Sequence, residues 1–135
     1  MLDKALNYIK FSYAPYSKFK VACILIASNG IEEKEFYGVN VENASYGLTI
    51  CAERVAIFKA ISEGYNKLLK MYLVAVDENN NEVLNIMPCG ACRQVIFEFS
   101  DSLKIITRSG EFDIKELLPF GFKILNLWNL TISLK

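Results

Sequence analysis

The 135-residue chain contains no histidine. Any site it builds therefore works without an imidazole, the commonest general base and metal ligand. Net charge is lacking as well: 15 Lys and Arg balance 15 Asp and Glu. The basic residues are scattered, which argues against a broad nucleic-acid-binding face. No apolar run reaches the roughly 18 residues needed to cross a bilayer, so no membrane partner is expected. The opening M-L-D-K-A-L-N-Y-I-K breaks its apolar residues with charge and lacks the continuous core of a secretory signal. The expected location is the cytoplasm. No repeat, low-complexity tract or linker interrupts the chain, and its length predicts one domain over residues 1–135.

Apolar residues make up 53% of the chain. That share excludes disorder. With zero net charge, it fits a well-filled core and a buried subunit interface about equally. Four cysteines are present. In a reducing compartment they serve more often as metal ligands, catalytic groups or core residues than as disulfides.

Leu2, Ala5, Leu6 and Ile9 recur at helical spacing, predicting a first helix that ends before Ala14-Pro15. F-K-V-A-C-I-L-I-A (19–27) reads as a buried strand, Ser28-Asn29-Gly30 as a turn, and E-F-Y-G-V-N-V (35–41) as the returning strand of a hairpin. N-A-S-Y-G (43–47) is a loop. A helix follows over Cys51–Glu63, with Ala52, Val55, Ala56, Ala60 and Ile61 apolar and Gly64 as its stop. M-Y-L-V-A-V-D (71–77) is a central strand and E-N-N-N-E (78–82) a turn. Pro88 is placed in the first turn of a helix continuing through C-G-A-C-R-Q-V-I-F-E-F (89–99). L-K-I-I-T (103–107) is a further strand, and K-E-L-L-P (115–119) a short helix or turn. The apolar tail from Lys123 to Lys135 fits either strand or helix. This order predicts an α/β fold: a three-layer α/β/α domain with a mixed β-sheet, a hairpin first and crossovers after.

Two motifs, C-A-E at 51–53 and P-C-G-A-C at 88–92, fall at predicted helix N-termini after a strand and loop. Such termini gather at the carboxyl edge of an open α/β sheet. A C-x-x-C turn at a helix start brings two sulfurs close enough for one Zn2+, and Cys51 would add a third to Cys89 and Cys92. Three protein ligands leave the fourth tetrahedral position open, as in catalytic zinc sites. Three thiolates make such a site negative. The helix N-termini offset this, as would guanidinium groups at Arg54 and Arg93 bonded to the thiolates. Either arginine could equally be a solvated helix-face residue. Glu53 is spaced to reach a water at the metal without ligating it, and so to shuttle protons. Acidic residues also favour a helix first turn for its dipole alone. Cys23, inside a strand run, reads as a core residue, while a closed structural site would need it as a fourth ligand.

C-A-E-R and P-C-G-A-C-R-Q resemble the H-x-E…P-C-x-x-C signature of zinc deaminases in its all-cysteine form. Y-A-P-Y-S-K-F (13–19), N-V-E-N-A-S-Y-G (40–47) and E-L-L-P (116–119) extend the likeness. Together they resemble the small, homotetrameric zinc-dependent cytidine deaminases over residues 13–119. The resemblance implies that Cys51, Cys89 and Cys92 hold zinc and that Glu53 moves the protons. It implies that Asn40 and Glu42 bond the ribose, chiefly at its 3′-hydroxyl. Phe19 would pack on the pyrimidine, the backbone near Ala52 would read the base edge, and Arg54 and Arg93 would bond the thiolates. Tyr46 and Phe122 are candidates for completing a neighbouring subunit's site in a homotetramer. Ala22 stands where the family usually has glycine, and the tail after Pro119 is more apolar than the family's. A carboxylate at Glu42 would repel a 3′-phosphodiester, so a free nucleoside is the expected partner and polynucleotide is not. The implied reaction is hydrolytic deamination of cytidine and deoxycytidine. The alternatives are a structural-zinc or nucleoside-binding protein without turnover, and a deaminase of another cytosine-containing substrate.

Overall fold

Strand β1 (Lys20–Ser28) forms from the apolar, β-branched run and sets the sheet's two faces. In this computed structural model, which describes residues 1–124, the odd-numbered residues Cys23, Leu25 and Ala27 join the larger core. Ala22 and Ile24 join a smaller one on the opposite face. Strand β2 (Glu33–Val39) returns antiparallel along β1, after a turn in which Gly30 takes φ +93°. Strand β3 (Lys67–Val76) lies antiparallel on β1's other side. Strand β4 (Lys104–Thr107) joins β3 in parallel, and β5 (Gly110–Asp113) closes the edge antiparallel to β4. The order is β2-β1-β3-β4-β5, a mixed sheet as expected.

Helix α2 (Ala52–Ser62) and helix α3 (Gly90–Phe99) supply Ala52, Ala56, Ile57, Ala60 and Ile96 to the larger core. There they meet Met71, Leu73, Leu103 and Ile105, all 0% exposed. Burying an aliphatic side chain of this size contributes about 1.5–3 kcal/mol. Helix α1 (Leu2–Leu6) covers the opposite face through Ala5, Leu2 and Leu6. Helix α4 (Ile114–Leu117) follows β5, capped at Asp113 by a reciprocal bond with Glu116. Gly64 follows the C-cap Glu63 of helix α2 and takes φ +88°, which suits glycine there.

Some elements differ from expectation. The first helix stops at Leu6, and residues Ile9–Phe11 form a tight 3-10 turn. Tyr8 is stacked on Tyr37 of β2, 4.1 Å between ring centroids, which draws the chain down onto the sheet. β2 ends at Val39, two residues early, because Asn40 leaves the ladder to bond elsewhere. Pro88 precedes the cap Cys89 instead of entering α3. β5 was not expected: E-F-D carries no β-branched residue, and the Ser109-Gly110 turn signal closes a hairpin with β4. The choice between strand and helix for the tail falls mainly on 125–135, outside the described residues.

Candidate active site

Because β1 is antiparallel to both β2 and β3, those two strands run in the same direction. Their carboxyl ends therefore share an edge with the amino end of β1. Helices α2 and α3 begin at that edge, with Cys51 and Cys89 as their N-caps. Both helices thus turn free N–H groups and partial positive charge toward the same place. The Cys92 amide donates to Cys89 Sγ at 3.5 Å, so one sulfur caps the turn that carries the other.

The sulfurs of Cys51, Cys89 and Cys92 all lie within 4.8 Å of one another. Those of Cys51 and Cys89 are 3.7 Å apart. Two sulfurs bound at 2.3 Å to one tetrahedral zinc would stand about 3.8 Å apart. A soft, preassembled donor set at this spacing fits zinc. Arg54 Nη2 donates to Cys51 Sγ at 3.3 Å. Contact with the Cys92 thiol, then with Arg54 and Cys89, lowers the Cys51 thiol to about 5. The Cys92 thiol is raised, by its bond to Cys51 and by burial. Between these two sulfurs the negative charge is thus favoured on Cys51, beside the Arg54 guanidinium.

Glu53 is only 4% exposed. Burial, and next the charge at Cys51, raise its carboxyl to about 7. It lines a cleft of about 370 Å³ together with Cys51 and Cys89. Phe19, Val21, Ile86 and Met87 supply apolar walls, and Ser17, Asn40, Glu42 and Thr49 the polar side.

That polar side is tightly bonded. Asn40 Oδ1 accepts from the Val21 amide at 2.9 Å and from the Ser12 hydroxyl, while Nδ2 donates to Phe19 O at 2.8 Å. These bonds fix the amide's orientation and leave it a single unused donor. Glu42 Oε1 accepts from the Tyr16 and Ser17 amides at 3.0 and 3.1 Å, and Oε2 accepts from the Ser17 hydroxyl. Burial opposes the charge on Glu42, but Ser17's hydroxyl and the two amides outweigh it and hold the carboxyl below its ordinary value. The expected site residues Phe19, Asn40, Glu42, Cys51, Glu53 and Cys89 thus share one cleft, and Cys92 lies behind its wall in contact range of both other sulfurs.

One expectation needs correction. Arg93 does not meet a thiolate: its Nε donates to Pro88 O and its Nη1 to Leu117 O, each at 2.8 Å. Lying one turn past the Cys89 cap, it reaches back to the loop before α3 and across to α4. Ala52 is fully buried, and its carbonyl accepts from Cys23 Sγ at 3.4 Å. Phe122 is exposed and does not line this chain's cleft; its carbonyl accepts from Gln94. Tyr46 is also exposed, in edge contact with Tyr16 across an adjoining pocket that shares Ser17, Glu42 and Thr49. Cys23 is buried apart from the sulfur cluster, as a core residue would be. Ser12, Ser17, Ile86 and Met87 went unnoticed in the sequence. Ser17 stood inside the quoted Y-A-P-Y-S-K-F, while Ile86 and Met87 carried no signal beyond preceding P-C-x-x-C.

A thiolate cluster and a buried carboxylate, raised on two helix starts at one edge of a mixed sheet, define a zinc-binding α/β protein of the deaminase kind. Comparison with known proteins makes this specific. The chain belongs to the family described as the cytidine and deoxycytidylate deaminase zinc-binding region, whose model matches residues 1–107. It is 51% identical over 100 residues to a probable cytidine deaminase of Dictyostelium discoideum, a match covering 74% of this chain and 63% of that protein, under two thirds of its length. It is 39% identical over 121 residues to the cytidine deaminase of Mycoplasma genitalium, covering 85% and 87% of the two chains. The crystal structure of cytidine deaminase from Burkholderia pseudomallei superimposes with a TM-score of 0.76 at 37% identity, covering 90% of this chain and 95% of that one.

Proposed function

We propose that the chain is a zinc-dependent hydrolase that converts cytidine and deoxycytidine to uridine and deoxyuridine with release of ammonia. The observation that carries this is the shared cleft: a sulfur cluster and a buried carboxylate on one wall, and polar groups suited to a sugar hydroxyl on the other. Family membership and the cytidine deaminase relatives support the same reading.

Cys51, Cys89 and Cys92 would hold the zinc, which when bound supplies a Lewis acid that lets water attack at neutral pH. The chain's own groups do the rest. Phe19, Ile86 and Met87 form apolar walls that suit a flat ring. Asn40 offers a donor and Glu42 an acceptor, which together suit a hydroxyl, a group that both donates and accepts. A 3′-phosphodiester would bring like charge to Glu42, so the free nucleoside is favoured. Glu53, held in a low-dielectric wall near neutrality, takes a proton from the attacking water and hands it to N3 of the base. It then takes the proton of the hydroxyl formed at C4 and delivers it to the departing amine. Water adds at C4, the C4–N bond breaks, and the products are the uracil nucleoside and ammonia.

The finer parts of the reading are assembly as a homotetramer, work in the cytoplasm and a role in pyrimidine salvage. Exposed Phe11, Tyr13, Tyr46, Leu48 and Phe58 support a self-associating surface. Among the described residues no helix is long and apolar enough to cross a membrane. Incubation of purified chain with cytidine, with and without a chelator, tests the activity through the nucleoside's ultraviolet band and ammonia release. Absence of turnover by zinc-loaded protein sinks it. Sedimentation tests the assembly.

A further inference from the structure

We infer that Gly38 is a positioning residue: facing Cys23 across the β1–β2 ladder, it sets how closely the first turn of α2 lies on the sheet, and so where Cys51 and Glu53 stand. The inference rests on the functional reading above.

Gly38 is Cys23's partner in the antiparallel register. A Cβ on Gly38 would lie 2.1 Å from Ala52 O, 2.7 Å from Ala56 N and 3.0 Å from the Ala56 Cβ. The two closest atoms are backbone and cannot swing aside. Gly38 is not among the glycines with positive φ, so its backbone angle does not demand glycine. What demands it is the approach of the helix. From the other strand, Cys23 Sγ donates to the same Ala52 oxygen at 3.4 Å. Ala52, Ala56 and Ala60, each 0% exposed, turn a small-residue face to the sheet and allow this closeness.

The seated carbonyl belongs to the residue between the metal ligand Cys51 and the proton carrier Glu53. Any outward displacement of Ala52 moves both. Bringing an added Cβ to ordinary separation requires about 1 Å of movement by the helix turn, because β2 is held in the sheet by its ladder with β1 from Glu33 to Val39. A misplacement of about 1 Å at a reacting centre costs about 100-fold in rate. Phe19, Asn40 and Glu42 are not on α2, so substrate affinity should be largely spared.

The test is Gly38→Ala, measured for cytidine turnover, metal content, melting temperature and the visible ligand-field spectrum after cobalt(II) substitution. The expected result is about one metal per chain, a shifted cobalt spectrum, kcat reduced about 100-fold and KM within about threefold. Ile105→Val, a core substitution in β4 far along the chain from the site, controls for lost stability and should leave both kcat and the spectrum unchanged. A Gly38→Ala protein with the parent spectrum and kcat within about threefold overturns the inference, whatever its melting temperature. Should Gly38→Ala fail to fold, Cys23→Leu crowds the same oxygen with a side chain that can yield. It should shift the spectrum and lower kcat about tenfold, and no change in either overturns the inference. A parent chain without turnover overturns the functional reading alone, and the variants' cobalt spectra still decide the seat.

Discussion

Replacing Glu53 with glutamine isolates proton transfer from everything else at the site. The substitution keeps shape and volume while removing the one group suited to the task among the described residues of the cleft. The other carboxylate lining it, Glu42, accepts three hydrogen bonds and is held below its ordinary value, which makes it a poor base. The thiols are committed to one another and to Arg54. With no substitute base, the loss should reach the upper part of the range for general acid–base catalysis, about 10³–10⁴ in kcat, or about 4–5.5 kcal/mol of barrier. Zinc should remain at about one per chain, because Glu53 is not in the sulfur cluster. Stability should hold or rise, since Glu53 is 4% exposed and glutamine removes a buried ionisable group. Metal analysis, thermal melting and steady-state kinetics on one preparation give all three readings. Turnover above about a tenth of the parent's would refute the shuttle, and loss of zinc would make Glu53 part of the metal's support.

Glu42→Gln removes a charge-assisted acceptor and should raise KM for cytidine about 10–100-fold while lowering kcat less; equal falls in kcat and kcat/KM would place Glu42 in the chemical step. Arg93→Ala leaves the carbonyls of Pro88 and Leu117 without their donor, and a melting temperature about 5–15 °C lower is expected. An unchanged melt would show that this arginine holds nothing. Cys23→Ala should bind zinc in the parent's ratio by metal analysis, because its sulfur lies outside the cluster, and a fall would mean that a fourth thiolate takes part.

The elements that carry the site were legible because their signals are local. A cysteine directly before an apolar-periodic run marks a cap, and the strand–loop–helix order sends both caps to one edge. What stayed hidden is set by partners distant in the chain. Nothing near Arg93 announces that it reaches Leu117, 24 residues on. Asn40 leaves β2 because its side chain bonds Val21, Phe19 and Ser12, the first two brought near by the hairpin and the third by the N-terminal segment that bridges at Tyr13 and Val41. Gly38 in E-F-Y-G-V-N-V reads as a weakness in a strand until the helix above it is known. β5 escaped notice because pairing with β4, and not the propensity of E-F-D, makes it a strand.

The reassignment of Arg93 also changes the charge balance at the metal. Three thiolates around a dication leave about −1, and excess negative charge weakens the ion's pull on a ligand water. Sequence alone offered two guanidinium groups to offset it. With Arg93 spent on two carbonyls, Arg54 is the one side-chain cation bonded to the cluster among the described residues. It contacts Cys51, the residue that stands where related deaminases have histidine. The exchange of a neutral ligand for an anionic one is therefore answered three residues along the same helix turn. The helix N-termini supply the rest, which is why the height of α2 over Gly38 bears on electrostatics as well as on the reach of Glu53: a raised turn would withdraw the amide dipoles and Arg54 together.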